Sequence, residues 1–488
     1  MKKAKVLMIN LPGSSIRKPE EHCGLAFLKA YLLANKIDVE ILDAYALGIS
    51  LEKCLEEISN WIMENRQYTR YVGVSPYVTS HNELCRVVEF IKDKSAECVT
   101  FAGGHYASLN KERLLNSISA LDAIIVGEGE LSLLAFIENG ISTSNIPGVY
   151  QRRFAENFIK RERIHDLDTL PFQDRYLSVE RLNGQPFAIT TSRGCYGECS
   201  FCSISSFYKC NLPIEKKQTF RSAKSVSDEL HTLKDKYDAK SIKIVDDNFF
   251  RGSSNSFLTE LVDRVEHLKL SIRLSARPND ITQERAKLLK RLGVVVIGIG
   301  VESADENALD LFNKGIHVSH SEQAIELLRE EGITCLINFI TFNPIIDISG
   351  LKKNLEFIIS HMDDGLFHRI NSHLWVRATD PMVESLKKLH LSDGSGFPYV
   401  NYAYKNPEIK EIKDLFDVWC NHNEKEYYEL ADVLMAKGII GNEEVHAKYK
   451  MMLVEDVSVL QGLIELYDAK KLSTEGERYV LKRIGERK

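Results

Sequence analysis

Three cysteines stand close together near the middle of the chain, where Cys195, Cys199 and Cys202 follow an apolar run at residues 187–191. Their spacing is Cys-x3-Cys-x2-Cys, and no second cysteine or histidine pair follows at the distance that a four-ligand zinc site needs. Cubane iron–sulfur clusters are normally held by four thiolates. Three ligands on one loop therefore predict a cluster in which one iron has no protein ligand. A catalytic zinc likewise keeps one coordination position open. The alternative is three thiols that are neighbours by chance.

The bulk composition is that of a globular protein with more than one domain. The chain has 488 residues, of which 44% are hydrophobic and 27% charged, so it can form two or three domains. A net charge of −6 gives no electrostatic basis for binding nucleic acid or an anionic membrane surface. The apolar run at residues 6–9 is too short for a signal peptide or a membrane span. The cysteines outside the motif show no paired framework, which is typical of reduced thiols in the cytoplasm.

The first 140 residues alternate short β-rich runs with helical stretches, which predicts a doubly wound parallel sheet. Five strands with four crossovers indicate a flavodoxin-like (Rossmann-type) order, in which ligands bind at the carboxyl ends of the strands. Residues 141–184 are predicted to be a linker, with a hairpin formed by residues 149–153 and 158–163. The five strands are predicted at residues 5–10, 38–44, 71–75, 98–102 and 123–126.

A second alternation covers residues 185–385 and predicts a partial (β/α)6 barrel, with active groups on loops at the carboxyl ends of its strands. Residues 386–488 carry helical patterns and are predicted to form a mainly helical domain. The six barrel strands are predicted at residues 187–191, 241–245, 271–275, 294–299, 334–340 and 373–376. The last helices are predicted at residues 409–421, 424–437, 443–451 and 457–467.

Charged residues stand at the ends of two of these strands. Asp246 and Asp247 follow one strand, and paired carboxylates there need cations or hydrogen-bond donors, such as the amine of a cofactor or substrate. The alternative is a turn in which they act as capping residues. Arg277 ends the next strand, where its guanidinium could bind a carboxylate through two hydrogen bonds. These positions indicate a binding site for a charged ligand.

The cysteine spacing, Arg277 and the sequence Gly-Ile-Gly-Val-Glu-Ser at residues 298–303 together resemble the radical SAM family. In that family the open iron is chelated by S-adenosylmethionine (SAM). The resemblance implies a [4Fe-4S] cluster on Cys195, Cys199 and Cys202. It also implies one-electron cleavage of SAM to a 5′-deoxyadenosyl radical. The SAM-binding residues that it implies are Tyr196, Phe201, Asp246, Asp247, Arg277, Glu302, Ser303 and Asn338.

Alternatives remain open for several of these residues. Tyr196 and Phe201 could contact the cofactor or could simply pack, and Ser303 could cap a turn at the strand end. The fifth barrel strand also departs from the Ile-x-Gly-x-Pro-Gly pattern that relatives often carry, because residues 337–344 read Ile-Asn-Phe-Ile-Thr-Phe-Asn-Pro. Asn338 and Asn343 are therefore assigned amide contacts in place of those glycines.

A flavodoxin-like domain directly before such a barrel resembles the cobalamin-dependent radical SAM enzymes, and residues 24–32, 101–107 and 126–130 are similar to that family's domain. Two glycines after a strand also let a flat ligand approach the backbone closely. The Asp-x-His-x-x-Gly motif of cobalamin mutases is absent after the first strand. His81 is the other imidazole near this surface, besides His105, and local hydrogen bonding is the alternative role for both. The implied cobalamin-binding residues are Ser75, Thr79, Gly103, Gly104, His105, Gly127 and Glu128.

The resemblance implies an enzyme that methylates an unactivated carbon of a small-molecule or peptide natural-product intermediate, through a 5′-deoxyadenosyl radical and methylcobalamin. An external reductant such as flavodoxin or ferredoxin would be its partner. One alternative keeps both cofactors but catalyses a rearrangement or cyclisation. In another, the first domain no longer binds cobalamin and serves as a scaffold. The non-enzymatic alternative is a cluster-bearing binding or electron-transfer protein.

Overall fold

The computed structural model describes residues 3–13, 21–177, 185–213 and 217–487. Its contacts divide the chain into two compact units. The first unit comprises Met1–Tyr196 and Ser203–Asp238, and the second comprises Gly197–Cys202 and Ala239–Lys488.

A parallel sheet with one antiparallel edge strand forms the centre of the first unit. Its strand order is β2-β1-β3-β4-β5-β6, so the predicted flavodoxin-like order is confirmed. Strands β1 to β5 pair in parallel, and β6 pairs antiparallel with β5, extending the sheet by one strand beyond the prediction. The strands are β1 Ala4–Asn10, β2 Asp38–Asp43, β3 Thr69–Ser75, β4 Val99–Ala102, β5 Ala123–Ile125 and β6 Val149–Tyr150.

Amphipathic helices follow these strands. The second helix begins after Ser50, whose hydroxyl accepts a hydrogen bond from the Lys53 N–H at 3.2 Å. It buries Cys54, Ile58 and Trp61, which share one face because they are four and three residues apart. The helices of this sheet are α1 Cys23–Ala34, α2 Leu51–Glu64, α3 His81–Lys94, α4 Gly104–Leu109, α5 Lys111–Ser117 and α6 Glu130–Asn139.

The rest of the first unit contains short elements. The predicted hairpin is wrong: β6 pairs with β5, and Arg152–Asn157 forms a 3-10 turn. The apolar run before the cysteines forms a strand, as predicted, and a two-stranded antiparallel ladder that the sequence did not predict surrounds the start of the motif. These elements are β7 Phe187–Ile189, β8 Ser192–Gly194, α7 Ser203–Tyr208, β9 Gln218–Phe220 and α8 Ala223–Tyr237.

Five strands of the second unit lie in one parallel sheet in the order β14-β13-β12-β11-β10. The predicted strand at residues 373–376 is wrong, because the last strand is Gly365–Phe367 and His373 makes only an isolated bridge with Phe342. The strands are β10 Ser241–Ile244, β11 Ser271–Ala276, β12 Val294–Glu302, β13 Thr334–Phe339 and β14 Gly365–Phe367. Between them lie α9 Ser256–Val265, α10 Gln283–Leu292, α11 Glu306–Leu311, α12 Val318–Glu330 and α13 Ile348–His361.

The chain ends in helices, as predicted. The two helices predicted at residues 443–451 and 457–467 are one helix of 26 residues. Within it the fully buried Asp456 accepts a hydrogen bond from Trp419 Nε1 at 2.8 Å and pairs with Arg369 Nε at 3.1 Å. Burial raises the pKa of Asp456 to about 6. The helices are α14 Met382–Lys388, α15 Pro407–His422, α16 Glu424–Lys437, α17 Glu443–Asp468 and α18 Leu472–Glu486.

Candidate active site

The loop that carries Cys199 and Cys202 is attached to the end of α11. The Ser200 N–H donates to Phe312 O at 2.8 Å, and the Ser200 hydroxyl donates to Leu311 O at 2.8 Å. The Phe201 ring meets the edge of Phe312, with 5.3 Å between ring centroids. Phe201 therefore has a packing partner within the unit. The loop is held by both backbone and side-chain contacts.

The three cysteines differ in exposure. Cys199 is buried, at 8% exposure, whereas Cys195 and Cys202 are partly exposed. Among the described residues, no three histidine, cysteine, aspartate or glutamate side chains are arranged to hold a single metal ion. A cubane places different requirements on its ligands, because its thiolates bind separate irons of one cluster.

Arg277 lies against Cys199. Its Nη1 donates to Cys199 Sγ at 3.4 Å, and its Nη2 donates to Lys314 O. The Arg277 N–H donates to Asn248 Oδ1 at 3.2 Å, and Asn248 Nδ2 in turn donates to Asp280 Oδ2 at 3.1 Å. A buried guanidinium directly after β11 is thus fixed on a cysteine of the motif.

Glu302 ends β12 and forms a buried ion pair. Lys314 Nζ donates to Glu302 Oε1 at 2.8 Å, and the two side chains are 6% and 11% exposed. The Glu302 backbone has φ +69, in the left-handed region, where the chain leaves the strand. Strand β12 itself runs through the predicted motif as far as Glu302, three residues beyond the predicted end.

Ser303 faces the interior. Its hydroxyl donates to Asn354 Oδ1 at 3.0 Å and accepts from the Asp305 N–H at 3.1 Å. Ser303 has no exposed surface. Its hydroxyl is therefore engaged in turning the chain after β12.

Near the carboxyl edge of the second sheet, a buried glycine lies between two polar side chains. Ser275 on β11 pairs in register with Gly298 on β12, and Asn338 on β13 pairs with Gly300. A Cβ on Gly298 would lie 3.1 Å from Ser275 Oγ and 3.7 Å from Asn338 Nδ2. A side chain at this buried glycine would therefore crowd two side chains that can form hydrogen bonds.

The acidic pair begins two residues after the end of β10, at the same edge of this parallel sheet. Asp246 is buried and Asp247 is half-buried. Their position, together with Arg277 after β11 and Glu302 at the end of β12, places four charged residues after three neighbouring strands. The acidic pair gives this edge carboxylates that can bind the amine of a ligand.

The carboxyl edge of the first sheet carries a hydrogen-bonded cluster. His22 Nε2 lies 3.1 Å from Ser75 Oγ, and the Leu25 N–H donates to His22 Nδ1 at 3.2 Å. Because Nδ1 accepts, a neutral His22 carries its proton on Nε2 and donates it to Ser75. Burial lowers the pKa of His22, which favours this neutral form. Ser75 therefore has its own hydroxyl proton available for an acceptor.

Asp43 at the end of β2 completes this cluster. Tyr176 Oη donates to Asp43 Oδ2 at 2.6 Å and accepts from the His22 N–H at 2.7 Å. Asn10 at the end of β1 donates to Asp43 Oδ1 at 2.7 Å. The ends of three adjacent strands are thus joined through side chains.

The other implied cobalamin residues occupy the ends of β3 and β4. Gly104 is exposed with φ +85, and a Cβ on it would lie 3.5 Å from Ser75 Oγ, so the two residues are neighbours. Gly103 is half-buried, and its N–H donates to Val74 O at 3.1 Å. Thr79 and His105 are exposed, and the edge of the His105 ring packs on Phe207 with 3.9 Å between centroids.

His81 is engaged locally. Its Nδ1 lies 3.0 Å from Tyr106 Oη, and its Nε2 lies 3.9 Å from Cys85 Sγ. Burial lowers the pKa of His81. Both ring nitrogens therefore have protein neighbours, in agreement with the alternative of local hydrogen bonding.

Gly127 and Glu128 follow β5 and contact other parts of the first unit. Gly127 has φ +76, and a Cβ there would lie only 2.1 Å from Asn211 Oδ1, so glycine is required. Glu128 Oε2 accepts from the Ile164 N–H at 2.8 Å, and Glu128 Oε1 pairs with Arg193 Nη1 at 3.4 Å. The Glu128 carboxylate therefore holds Arg193, two residues before Cys195.

Sequence reasoning missed Lys314, Asn354, His22 and Asp43. Asp43 lies one residue before the end of a predicted strand, and that position alone could have indicated it. Lys314, Asn354 and His22 lie outside the strand ends, and their partners are 12 to 53 residues away along the chain. No local pattern in the sequence marks them.

Comparisons with known proteins agree with this architecture. Residues 189–358 match the model of the radical SAM superfamily. An uncharacterised methyltransferase of Pyrococcus horikoshii is 26% identical over 375 residues, which cover 73% of this chain and 78% of the relative. An anaerobic magnesium-protoporphyrin IX monomethyl ester cyclase of Synechocystis is 23% identical over 390 residues, which cover 76% of each protein.

Among solved structures, the cobalamin-dependent SAM radical enzyme OxsB with aqua-cobalamin bound has a TM-score of 0.77 at 14% identity, and the match covers 98% of this chain and 78% of that one. This similarity concerns the fold, and it confirms the predicted α/β class with a helical carboxyl-terminal region. The family match covers residues 189–358 of the 488, and it makes that segment similar to a radical SAM domain. The family implies a [4Fe-4S] cluster and SAM. No described helix combines the length and apolar character needed to cross a membrane.

Proposed function

We propose that this protein is a cobalamin-dependent radical SAM enzyme that methylates an unactivated carbon of a small-molecule or peptide intermediate. Residues 1–140 are assigned to cobalamin, 185–385 to the radical chemistry, and 386–488 to a helical domain. The observation that carries the proposal is the radical SAM match over a cysteine motif whose Cys199 is contacted by a buried arginine. The named methyltransferase relative supports methylation.

The residues fit a cluster and SAM. Cys195, Cys199 and Cys202 are the proposed cluster ligands, and Arg277 Nη1 donates a hydrogen bond to Cys199 Sγ. For SAM, the acidic pair after β10 suits the amine, while Asn338, next to Gly298, offers an amide contact. Glu302, held by Lys314, is assigned to the ribose.

In the first sheet, the groups assigned to cobalamin are exposed glycine backbone and a serine hydroxyl, and no residue is assigned as a ligand of the cobalt. Gly104 leaves room that a side chain would fill, and Ser75 beside it has a proton to donate to an amide or phosphate oxygen. Tyr176 and Asp43 hold His22, and His22 orients Ser75. This arrangement can bind the edge or the nucleotide tail of a corrinoid.

When bound, the cluster supplies the electron that cleaves SAM to a 5′-deoxyadenosyl radical, and the corrinoid supplies a methyl group to the substrate carbon. An external flavodoxin or ferredoxin is the proposed source of electrons. The protein's own residues bind and orient these groups. Lys314 neutralises Glu302, and Arg277 fixes Cys199.

A second candidate function keeps both cofactors without methylation. The cyclase relative favours it, because that protein is similar over the same share of this chain and is named for ring closure rather than methyl transfer. A rearrangement or cyclisation would use the same cluster and SAM residues.

The test is reconstitution of the full chain with iron, sulfide and hydroxocobalamin, followed by reduction in the presence of methyl-labelled SAM. We expect one corrinoid to bind per chain, the methyl label to be recovered on the bound corrinoid, and 5′-deoxyadenosine to be released. Corrinoid and nucleoside without transferred label would favour the second candidate, and nucleoside without bound corrinoid would show that the first domain is a scaffold.

Matched variants sharpen the test. Gly104→Val places a branched side chain on the exposed edge beside Ser75 and should weaken corrinoid binding at least tenfold. Gly48→Val carries the same change at φ +62, with nothing within 4 Å of its Cβ, and should bind corrinoid as the parent does. Equal loss in both variants would contradict the assigned surface.

A further inference from the structure

The position of Arg277 bears on the cluster more directly than on SAM. The guanidinium is buried, with 7% of the residue exposed, and Nη1 donates to Cys199 Sγ at 3.4 Å. Nη2 is taken by Lys314 O. A carboxylate that approached the two terminal nitrogens together would have to displace one of these contacts.

The surroundings fix this guanidinium in place. The Arg277 N–H is bound by Asn248, and Lys314, whose carbonyl accepts from Nη2, is itself held by its side-chain ion pair with Glu302. The loop on the other side is anchored by Ser200 to Leu311 and Phe312. Both partners of the N–H···S contact are therefore constrained from independent directions.

We infer that Arg277 is a positioning residue that sets the reduction potential of the cluster, through its hydrogen bond and positive charge on the Cys199 thiolate. Hydrogen bonds to ligand sulfurs and nearby charge are among the factors that set cluster potentials. Reduction adds negative charge to the cluster, and a cation on a ligand sulfur stabilises the more negative state, so Arg277 raises the potential. The inference rests on the proposed function in that a cluster must form on these cysteines.

The experiment is a redox titration of the reconstituted full chain, first without SAM and then with SAM, followed by electron paramagnetic resonance of the reduced cluster. Arg277→Gln removes the charge and should lower the midpoint potential by about 59 mV or more, which is a tenfold change in a one-electron equilibrium constant. Arg277→Lys keeps the charge and should shift the potential less, in the same direction.

Arg377→Gln is the matched control. Arg377 Nη1 donates to Phe201 O at 3.4 Å, so this arginine contacts the same loop through a carbonyl rather than a sulfur. Its removal should shift the midpoint potential by no more than the amount that corresponds to a twofold change in the one-electron equilibrium constant. Iron and sulfide content and circular dichroism are measured for every variant, and Arg277→Lys decides the question if Arg277→Gln does not retain its cluster.

Two results would overturn the inference. One is an unchanged potential in cluster-loaded Arg277→Gln or, where that variant loses its cluster, in Arg277→Lys. The other is a shift that occurs only when SAM is present, which would assign Arg277 to the SAM carboxylate instead. These results differ from failure of the proposed function, in which the parent protein itself would form no redox-active cluster.

Discussion

The buried pair between Lys314 and Glu302 gives a quantitative test of how the site is held. Lys314→Met removes the ammonium group and leaves the Glu302 carboxylate in a site where the two side chains are 6% and 11% exposed. Removing one partner of a buried ion pair costs about 3–5 kcal/mol, because the remaining charge has lost both water and its partner. Glu302→Gln, which leaves the lysine unpaired, should cost a similar amount.

The double variant separates the pair energy from the individual losses. With both charges removed, neither group is left charged and unpaired, so the double variant should be more stable than the sum of the single losses predicts, by about 2 kcal/mol or more. The Lys314 carbonyl that accepts from Arg277 belongs to the backbone and remains in all three variants. The cycle therefore tests the side-chain pair alone.

The assay is urea unfolding followed by tryptophan fluorescence, because two of the three tryptophans, Trp375 and Trp419, belong to the second unit, and Trp61 reports on the first. Lys448→Met is the control: it removes the same group from an exposed pair with Glu444, 62% and 84% exposed, and should leave the unfolding midpoint unchanged. Single losses below about 1 kcal/mol, or additive losses in the double variant, would refute the reasoning that this pair is buried and coupled.

Three further predictions concern the cluster and the first unit. Cys199→Ala should abolish bound iron while Cys210→Ala retains it, as measured by iron content, and equal retention would contradict the ligand assignment. Gly127→Ala should lower the free energy of unfolding by more than the ~1–2 kcal/mol that a left-handed backbone costs a residue with a Cβ, because this Cβ would also contact Asn211. Gly48→Ala, which also has a left-handed backbone but no neighbour at its Cβ, should lower it only by that amount. Equal losses in the two variants would contradict the close contact with Asn211. Burial lowers the pKa of His22 from its ordinary value of 6.5, against the opposing charge of Asp43, so the unfolded chain binds this proton more readily. The free energy of unfolding of the first unit should therefore be highest above about pH 6.5 and fall as the pH drops below that value. His22→Gln should make this fall with pH less steep, and the lowered pKa of His81 should account for the part that remains. The same pH dependence of urea unfolding in the variant and the parent would count against a buried neutral imidazole at His22.

The strand order of the first sheet could be predicted because alternation of strands and helices restricts a doubly wound sheet to few topologies. Residues at strand ends could be predicted for the same reason, and Ser75, Arg277 and Glu302 all lie at or directly after the ends of parallel strands. Their grouping at the carboxyl edges follows from topology rather than from side-chain detail.

Features that depend on distant partners could not be predicted. The gap predicted within α17 contains Asp456, and its carboxylate tolerates full burial because of Arg369, 87 residues away. The segment at 373–376 alternates like a strand, with Leu374 and Val376 buried, yet it makes only one bridge. Periodicity reports which side of a segment is buried, and it does not report whether a neighbouring strand completes the ladder.

The proposed function requires that three cysteines hold a cluster that cleaves SAM. The most direct measurement is the yield of 5′-deoxyadenosine when the reconstituted full chain is reduced with dithionite in the presence of SAM. We expect the nucleoside to accumulate with the parent protein and to be absent when Cys195, Cys199 and Cys202 are all replaced by alanine. No nucleoside from an iron-loaded parent protein, or the same yield from the triple variant, would contradict the account.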